Sequence, residues 1–213
     1  EALTPHLAHN LDLGIHSPFF TDALMDRVNG GAVSNSHKET YRGQSLASYA
    51  LGTGDLMKWL DQNPMVEFQG IDRVFDPAQI GRNPGFIAII PARKIDLSGK
   101  IALQTGKGNI ATGPAEVLDF FRGAEISDGG RIIFALPSRN LHGEPNILLS
   151  VENFENQFSR MESVDAVVTE YGAAFLRGYT IRERAQAIID LAHPDDRSLL
   201  VEQARAAHIL YPD

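Results

Sequence analysis

The chain has 213 residues, 43% of them hydrophobic and 22% charged, which suits one large soluble domain or two small ones. Its 19 Lys and Arg against 27 Asp and Glu give a net charge of −8, arguing against general nucleic-acid or membrane-surface binding. The absence of cysteine excludes disulfides, thiolate metal sites and a cysteine nucleophile. No apolar run approaches the ~18 residues of a membrane span, and a cytoplasmic location is expected. The chain opens on Glu1 rather than methionine, and it reads as the later part of a longer protein.

Taken in order, the elements alternate. GIHSPFF, from Gly14, is a loop of turn formers ahead of a helix at TDALMDRVNGG, Thr21 to Gly31, which a double glycine stops. GDLMKWLDQNP places Leu56, Trp59 and Leu60 on one helical face, with Pro64 just beyond. MVEF and GFIAIIP are short apolar runs expected to be buried strands. KIDLSGKIALQ reads as two strands joined by a tight turn at Ser98-Gly99, and PAEVLDFFRGA as a helix stopped by Gly123. GRIIFALPS is the clearest buried strand. DAVVTE is strand-like and is expected to run through Tyr171-Gly172 into a short helical turn. TIRE, from Thr180, is a capping box, and HPDDRSLL sets Pro194 at a helix start with Asp195 and Asp196 against the positive end of the dipole. Strands alternating with helices predict an α/β fold, an open layered α/β/α sheet domain, with ligands at the loops beyond the strand ends.

The most glycine-rich stretch is QTGKGNIATGPAE, Gln104 to Glu116, between a strand and a helix. Glycines let the backbone approach a ligand, and successive amides at a helix N-terminus favour anions. Gly106, Lys107, Gly108, Asn109 and Gly113 are therefore the candidate ligand-binding residues. Gly106-x-Gly108-x-x-Ala111, with Asp128 roughly 20 residues on, also imitates a dinucleotide fingerprint. A helix beginning near Pro114 starts too late for that motif. A purely structural loop is the remaining reading. The histidines, His16, His37, His142 and His193, show no metal-ligand spacing and are expected as caps and surface residues. RERAQ and HPDDR read as solvated faces and helix-end pairs. Glu170, at a strand end, suits a site or a capping role equally.

The stretch VVTEYGAAFLRGYTIRERAQAIIDLAHPDDR resembles the C-terminal signature of the acetyl-CoA hydrolase / CoA-transferase family, which includes the 4-hydroxybutyrate and acetate CoA-transferases. LDLGIHS, NPMVEF, DPAQIGRN, DLSGKI, DFFRGAEISDGGR and ALPS resemble further blocks in the family's order, from about Asp12 to Ala207. The resemblance implies a protein of two similar α/β domains with the active site between them. Residues 1–213 would be the C-terminal one, and the N-terminal partner half would precede Glu1. It implies acyl-CoA and a small carboxylic acid as substrates, coenzyme A as the carried group and no metal; a homodimer is left open. It also implies chemistry in which a glutamate attacks the thioester, a glutamyl-CoA thioester forms, and the acyl activation passes to an acceptor acid or water.

Three positions depart from the family. Pro18 stands where the family carries its glutamate, directly after His-Ser; Ile90 stands where it usually has an asparagine; and Ala115-Glu116 replace a double glycine. One consequence is a migrated carboxylate, for which Glu116 is the candidate catalytic residue; its other role is to stabilise a helix dipole. The alternative is an acyl-CoA-binding or regulatory domain without glutamyl transfer. Pro18 itself suits a helix start or a fixed loop. Arg42, Arg82, Lys107 and Arg122 are candidates for the phosphates of CoA.

Overall fold

The computed structural model describes residues 12–103, 115–154, 157–158 and 164–211. These fall into two compact units: one takes the chain up to Phe86 and then Asp119–Gly130, the other Ile87–Leu118 and Arg131 onward.

The first unit holds β1 (Phe19–Thr21), α1 (Asp22–Asn29), β2 (Ser45–Ala47), β3 (Tyr49–Leu51), α2 (Gly54–Leu60), β4 (Val66–Phe68), α3 (Ile71–Val74) and α4 (Pro77–Gly81). β1 pairs with β3 and β2 with β4, both parallel. α2 presents the expected face: Leu56 is fully buried, Trp59 and Leu60 pack on the same cluster, and the Trp59 ring stacks on Phe20 at 5.8 Å. Thr53 caps α2 through its hydroxyl, and Asp76 caps α4 ahead of Pro77.

The second unit holds β5 (Ile87–Pro91), β6 (Lys94–Asp96), β7 (Ile101–Ala102), the first turn of α5 (Ala115–Ile126), β8 (Arg131–Ala135), β9 (Ile147–Leu148), β10 (Gln157–Phe158), β11 (Ala166–Thr169), β12 (Gly172–Phe175), α6 (Ile181–Asp190) and α7 (Pro194–Ala206). Its larger sheet has the order β12-β11-β8-β5, with β11, β8 and β5 parallel and β12 antiparallel at the edge. A second sheet runs β10-β7-β6-β9. The Ser98-Gly99 turn forms as expected. The Asp96 carboxylate accepts from the Ser98 and Lys100 amides at 2.9 and 3.0 Å, and Gly99 takes φ +95°. The alternating burial of β5 and β8 sets Ala88, Ile90, Ile132 and Phe134 on one covered face. α6 contributes to that cover, and Thr169 on the same face donates its hydroxyl to the Leu191 carbonyl at 2.8 Å.

Two expectations are corrected. Tyr171-Gly172 does not lead into a helical turn: Gly172–Phe175 is β12, folded back on β11 in a hairpin. Gly123 does not stop its helix, which continues to Ile126. A Cβ at Gly123 would lie 2.3 Å from Ile80 Cγ2, and one at Gly81 2.4 Å from Ile126 Cγ2. The two helices thus seat an isoleucine of each on a glycine of the other. The chain turns instead at Gly129, whose φ is +69°.

Candidate functional site

The opening segment is threaded through the first unit rather than looped over it. The Ile15 carbonyl accepts from the Leu46 amide at 3.0 Å, and Ser17 returns its amide to the Leu46 carbonyl at 3.0 Å. Lys38, buried, drives its ammonium between the carbonyls of Ile15 at 2.8 Å and Gln44 at 2.6 Å. Burial lowers the Lys38 pKa from 10.5 to about 8. Its stem occupies the space a side chain at Gly14 would need, since a Cβ there would meet Lys38 Cγ at 2.8 Å.

His16 is a correction to the expectation of a surface histidine: it is only 8% exposed. Its ring packs edge-on against Phe86 and Phe120, with centroids 6.0 and 5.9 Å away. Nε2 lies 2.7 Å from the Val74 carbonyl and so carries the proton, leaving Nδ1 as a buried acceptor without a partner among the described residues. Burial, only partly offset by the Val74 bond and reinforced by Lys38, lowers its pKa from 6.5 to about 4. His16 is neutral at physiological pH and serves as an anchor for the loop.

Pro18 is half-buried two residues beyond that anchor. Its carbonyl accepts from the Ser48 and Tyr49 amides at 3.1 and 3.0 Å, leading the chain into β1. α1 begins only at Asp22, so Pro18 fixes a loop and does not start the helix.

In the second unit, polar groups gather past the carboxyl ends of the parallel strands β8 and β11, where ligands bind in α/β sheets. Glu170 accepts from the Ser138 amide at 2.9 Å and the Ser138 hydroxyl at 2.5 Å. Burial works to raise the Glu170 pKa, but the two Ser138 bonds, with His193 nearby, outweigh it and hold the carboxyl below its ordinary value. Arg139 makes a bidentate pair with Asp196 at 2.9 and 2.7 Å, and the Asp196 carboxyl is held low by it. His193 caps α7, accepting from the Asp195 amide at 3.3 Å. Asn146 steadies the other side, donating to the Pro137 carbonyl at 2.9 Å. The cluster clamps the segment after β8 between two neighbours. Arg184, expected on a solvated face, is instead buried and donates to the Tyr179 carbonyl at 3.1 Å.

Of the residues singled out from sequence, Gly106, Lys107, Gly108, Asn109 and Gly113 lie outside the described residues. The backbone of Glu116 is the second residue of α5, and its side chain lies outside the description. Ile90 is buried in β5, in register with Phe134. Arg42 donates to the Lys38 carbonyl at 3.2 Å, and Arg82 sits at the C-terminal cap of α4. Among the described residues no cluster of three or more His, Asp or Glu could hold a metal, and no helix is long and apolar enough to cross a membrane.

A family model described as "Acetyl-CoA hydrolase/transferase C-terminal domain" matches residues 52–204. The chain belongs to that family. Among its acetyl-CoA hydrolase/transferase relatives is a succinyl-CoA:cyclohexane-1-carboxylate CoA transferase of Geobacter metallireducens. It is 36% identical over 200 residues, covering 93% of this chain and 46% of the relative. A 4-hydroxybutyrate coenzyme A transferase of Clostridium kluyveri is 33% identical over 204 residues, covering 95% of this chain and 48% of the relative. The crystal structure of RipA from Yersinia pestis superposes with a TM-score of 0.84 at 32% identity, over 98% of this chain and 46% of RipA. That of a 4-hydroxybutyrate CoA-transferase from Porphyromonas gingivalis gives 0.78 at 34% identity, over 92% and 46%. The fold is α/β of the CoA-transferase type. The chain spans about half the length of the curated relatives it matches.

Proposed function

We propose that this chain is the C-terminal half of an acyl-CoA hydrolase or CoA-transferase acting on short-chain acyl-CoA thioesters and small carboxylic acids in the cytoplasm. The observation that carries the reading is the family match through residues 52–204 together with relatives that are CoA transferases by name. In this reading the partner half comes from the same polypeptide, and CoA sits partly on the loop of Gly106, Lys107, Gly108, Asn109 and Gly113. Glu116 supplies the carboxylate. Its backbone lies in the first turn of α5, where the helix dipole stabilises an anion. The carboxylate attacks the thioester carbonyl and expels CoA thiolate, which then attacks the resulting anhydride. That step releases the acyl carboxylate and leaves a glutamyl-CoA thioester for an acceptor acid or water.

A second reading has its own support. Pro18 occupies the family's glutamate position with its carbonyl committed to two amides, and Ile90 is packed as core where an asparagine is usual. Both fit a domain that binds acyl-CoA without glutamyl transfer.

The test is borohydride trapping in the full protein incubated with acetyl-CoA, followed by peptide mass spectrometry. Borohydride reduces a glutamyl thioester to an alcohol. The expected product is a reduced Glu116. Modification of a glutamate outside these 213 residues removes the nucleophile from this half but keeps the enzyme. No modification despite saturable CoA binding, with no thiol release, establishes the binding-domain reading.

A further inference from the structure

The larger sheet of the second unit has a second face, opposite the one that α6 helps to cover. Strand register aligns Ile89, Ile133, Ala166 and Phe175 across its four strands. Ile87 is 53% exposed, Ile89 50% and Phe175 69%, while on the two inner strands Ile133 and Val168 are half-buried and Ala166 is buried. Arg131 is the only charged residue that β5, β8, β11 and β12 place on this face. Parallel strands occur mostly in sheets covered on both faces, and here the two outer strands, β5 and β12, leave Ile87, Ile89 and Phe175 exposed on one and the same face.

We infer that this face is the seat of the other half of the same polypeptide, which lays an apolar surface across Ile87, Ile89 and Phe175. The inference rests on the reading that this chain is one half of a longer protein, as relatives about twice its length suggest. Size selects the occupant. Four strands spaced about 4.8 Å apart, at most five residues long, span about 300 Å². A separate protein needs about 800 Å² per partner for a stable interface, so this face alone does not hold a second copy. A covalently joined half has an effective concentration in the millimolar range, on the order that a small apolar contact requires.

The experiment uses the full protein. This chain has no cysteine, so Ile89→Cys and Phe175→Cys each give its segment one thiol. Leu199→Cys, at a residue of α7 that is 56% exposed, is the reference. Maleimide labelling, read by peptide mass spectrometry, is expected to be at least tenfold slower in I89C and in F175C than in L199C, equally at two protein concentrations tenfold apart. Rates equal to L199C show an open face and overturn the inference. Protection that fades on dilution points to a second copy and also overturns it. A diazirine analogue of leucine at position 89 then identifies the cover. Adducts with peptides outside residues 1–213 of the same polypeptide are expected, and adducts within these residues overturn the inference. Thioester trapping plays no part in these readouts, so the surface and the chemistry fail or succeed separately.

Discussion

Gly123 and His16 each occupy a place that their chemistry alone does not announce. Replacing Gly123 by alanine in an exposed helix would stabilise by about 1 kcal/mol. Here the added methyl meets Ile80 at 2.3 Å, and overpacking of that kind costs about 1–3 kcal/mol. Gly123→Ala is expected to lower stability by about 1 kcal/mol net in urea unfolding, and to cost less in an Ile80→Ala background, where the Cγ2 methyl it meets is gone. His16 makes stability depend on acidity. Its folded-state pKa lies near 4 and its ordinary value is 6.5, so below pH 6.5 the unfolded ring takes up a proton that the folded ring refuses. Stability present above pH 6.5 is therefore lost as the pH falls toward 4, by on the order of 2–3 kcal/mol. Urea midpoints at pH 7 and pH 4.5 are expected to differ less in His16→Gln than in the natural chain. A sequence lists both residues plainly, but a glycine within a helix and one after it look alike, and so do a buried and a surface histidine. What distinguishes them is Ile80 in one case and the Phe86 and Phe120 rings in the other, all supplied by distant chain.

At the scale of elements, whatever is fixed within a few residues was legible. The capping box of α6 forms as read: the Glu183 amide bonds the Thr180 hydroxyl, and the Glu183 carboxylate accepts from the Thr180 amide at 2.8 Å. Thr180→Ala is expected to cost about 1 kcal/mol in unfolding experiments, and Thr180→Ser to retain most of it. Local preference misled at GAAF, where alanines favour a helix. Strand pairing with Ala166–Thr169 overrides them, and Gly172 makes the tight return. The three-residue strands β1, β2 and β3 left no period to read; each exists because a parallel partner lies far away in sequence. α3 and α4 are a turn or so long, too short for a helical period to show, although Asp76 and Pro77 open the second. Of the candidate site, the opening segment is singled out in the sequence by its resemblance to the family. Its threading past Leu46 and over Lys38 is not visible there, because those bonds join residues some twenty to thirty positions apart.

At the scale of the molecule, the proposed chemistry rests on the family assignment, and the proposed seat of a second half on the relatives' length and on the exposed residues of one sheet face; trapping and thiol labelling test them apart. The order in which the chain visits its two units has a consequence of another kind. It leaves the first unit after Phe86, returns at Asp119 and leaves again after Gly130. Phe120, brought by that return visit, shares a cluster with Leu46, Val74 and Ile80. No single cut releases either unit intact. A fragment ending at Phe86 would lack an aromatic ring from its own interior, and ribosomal synthesis cannot complete the first unit until residue 130 has emerged. Nor does similarity mark a safe place to trim. The family match starts at residue 52, so a gene cut there would discard Phe20, His16 and Leu46 and leave α2 with only Val66 of the buried cluster that its Leu56 joins.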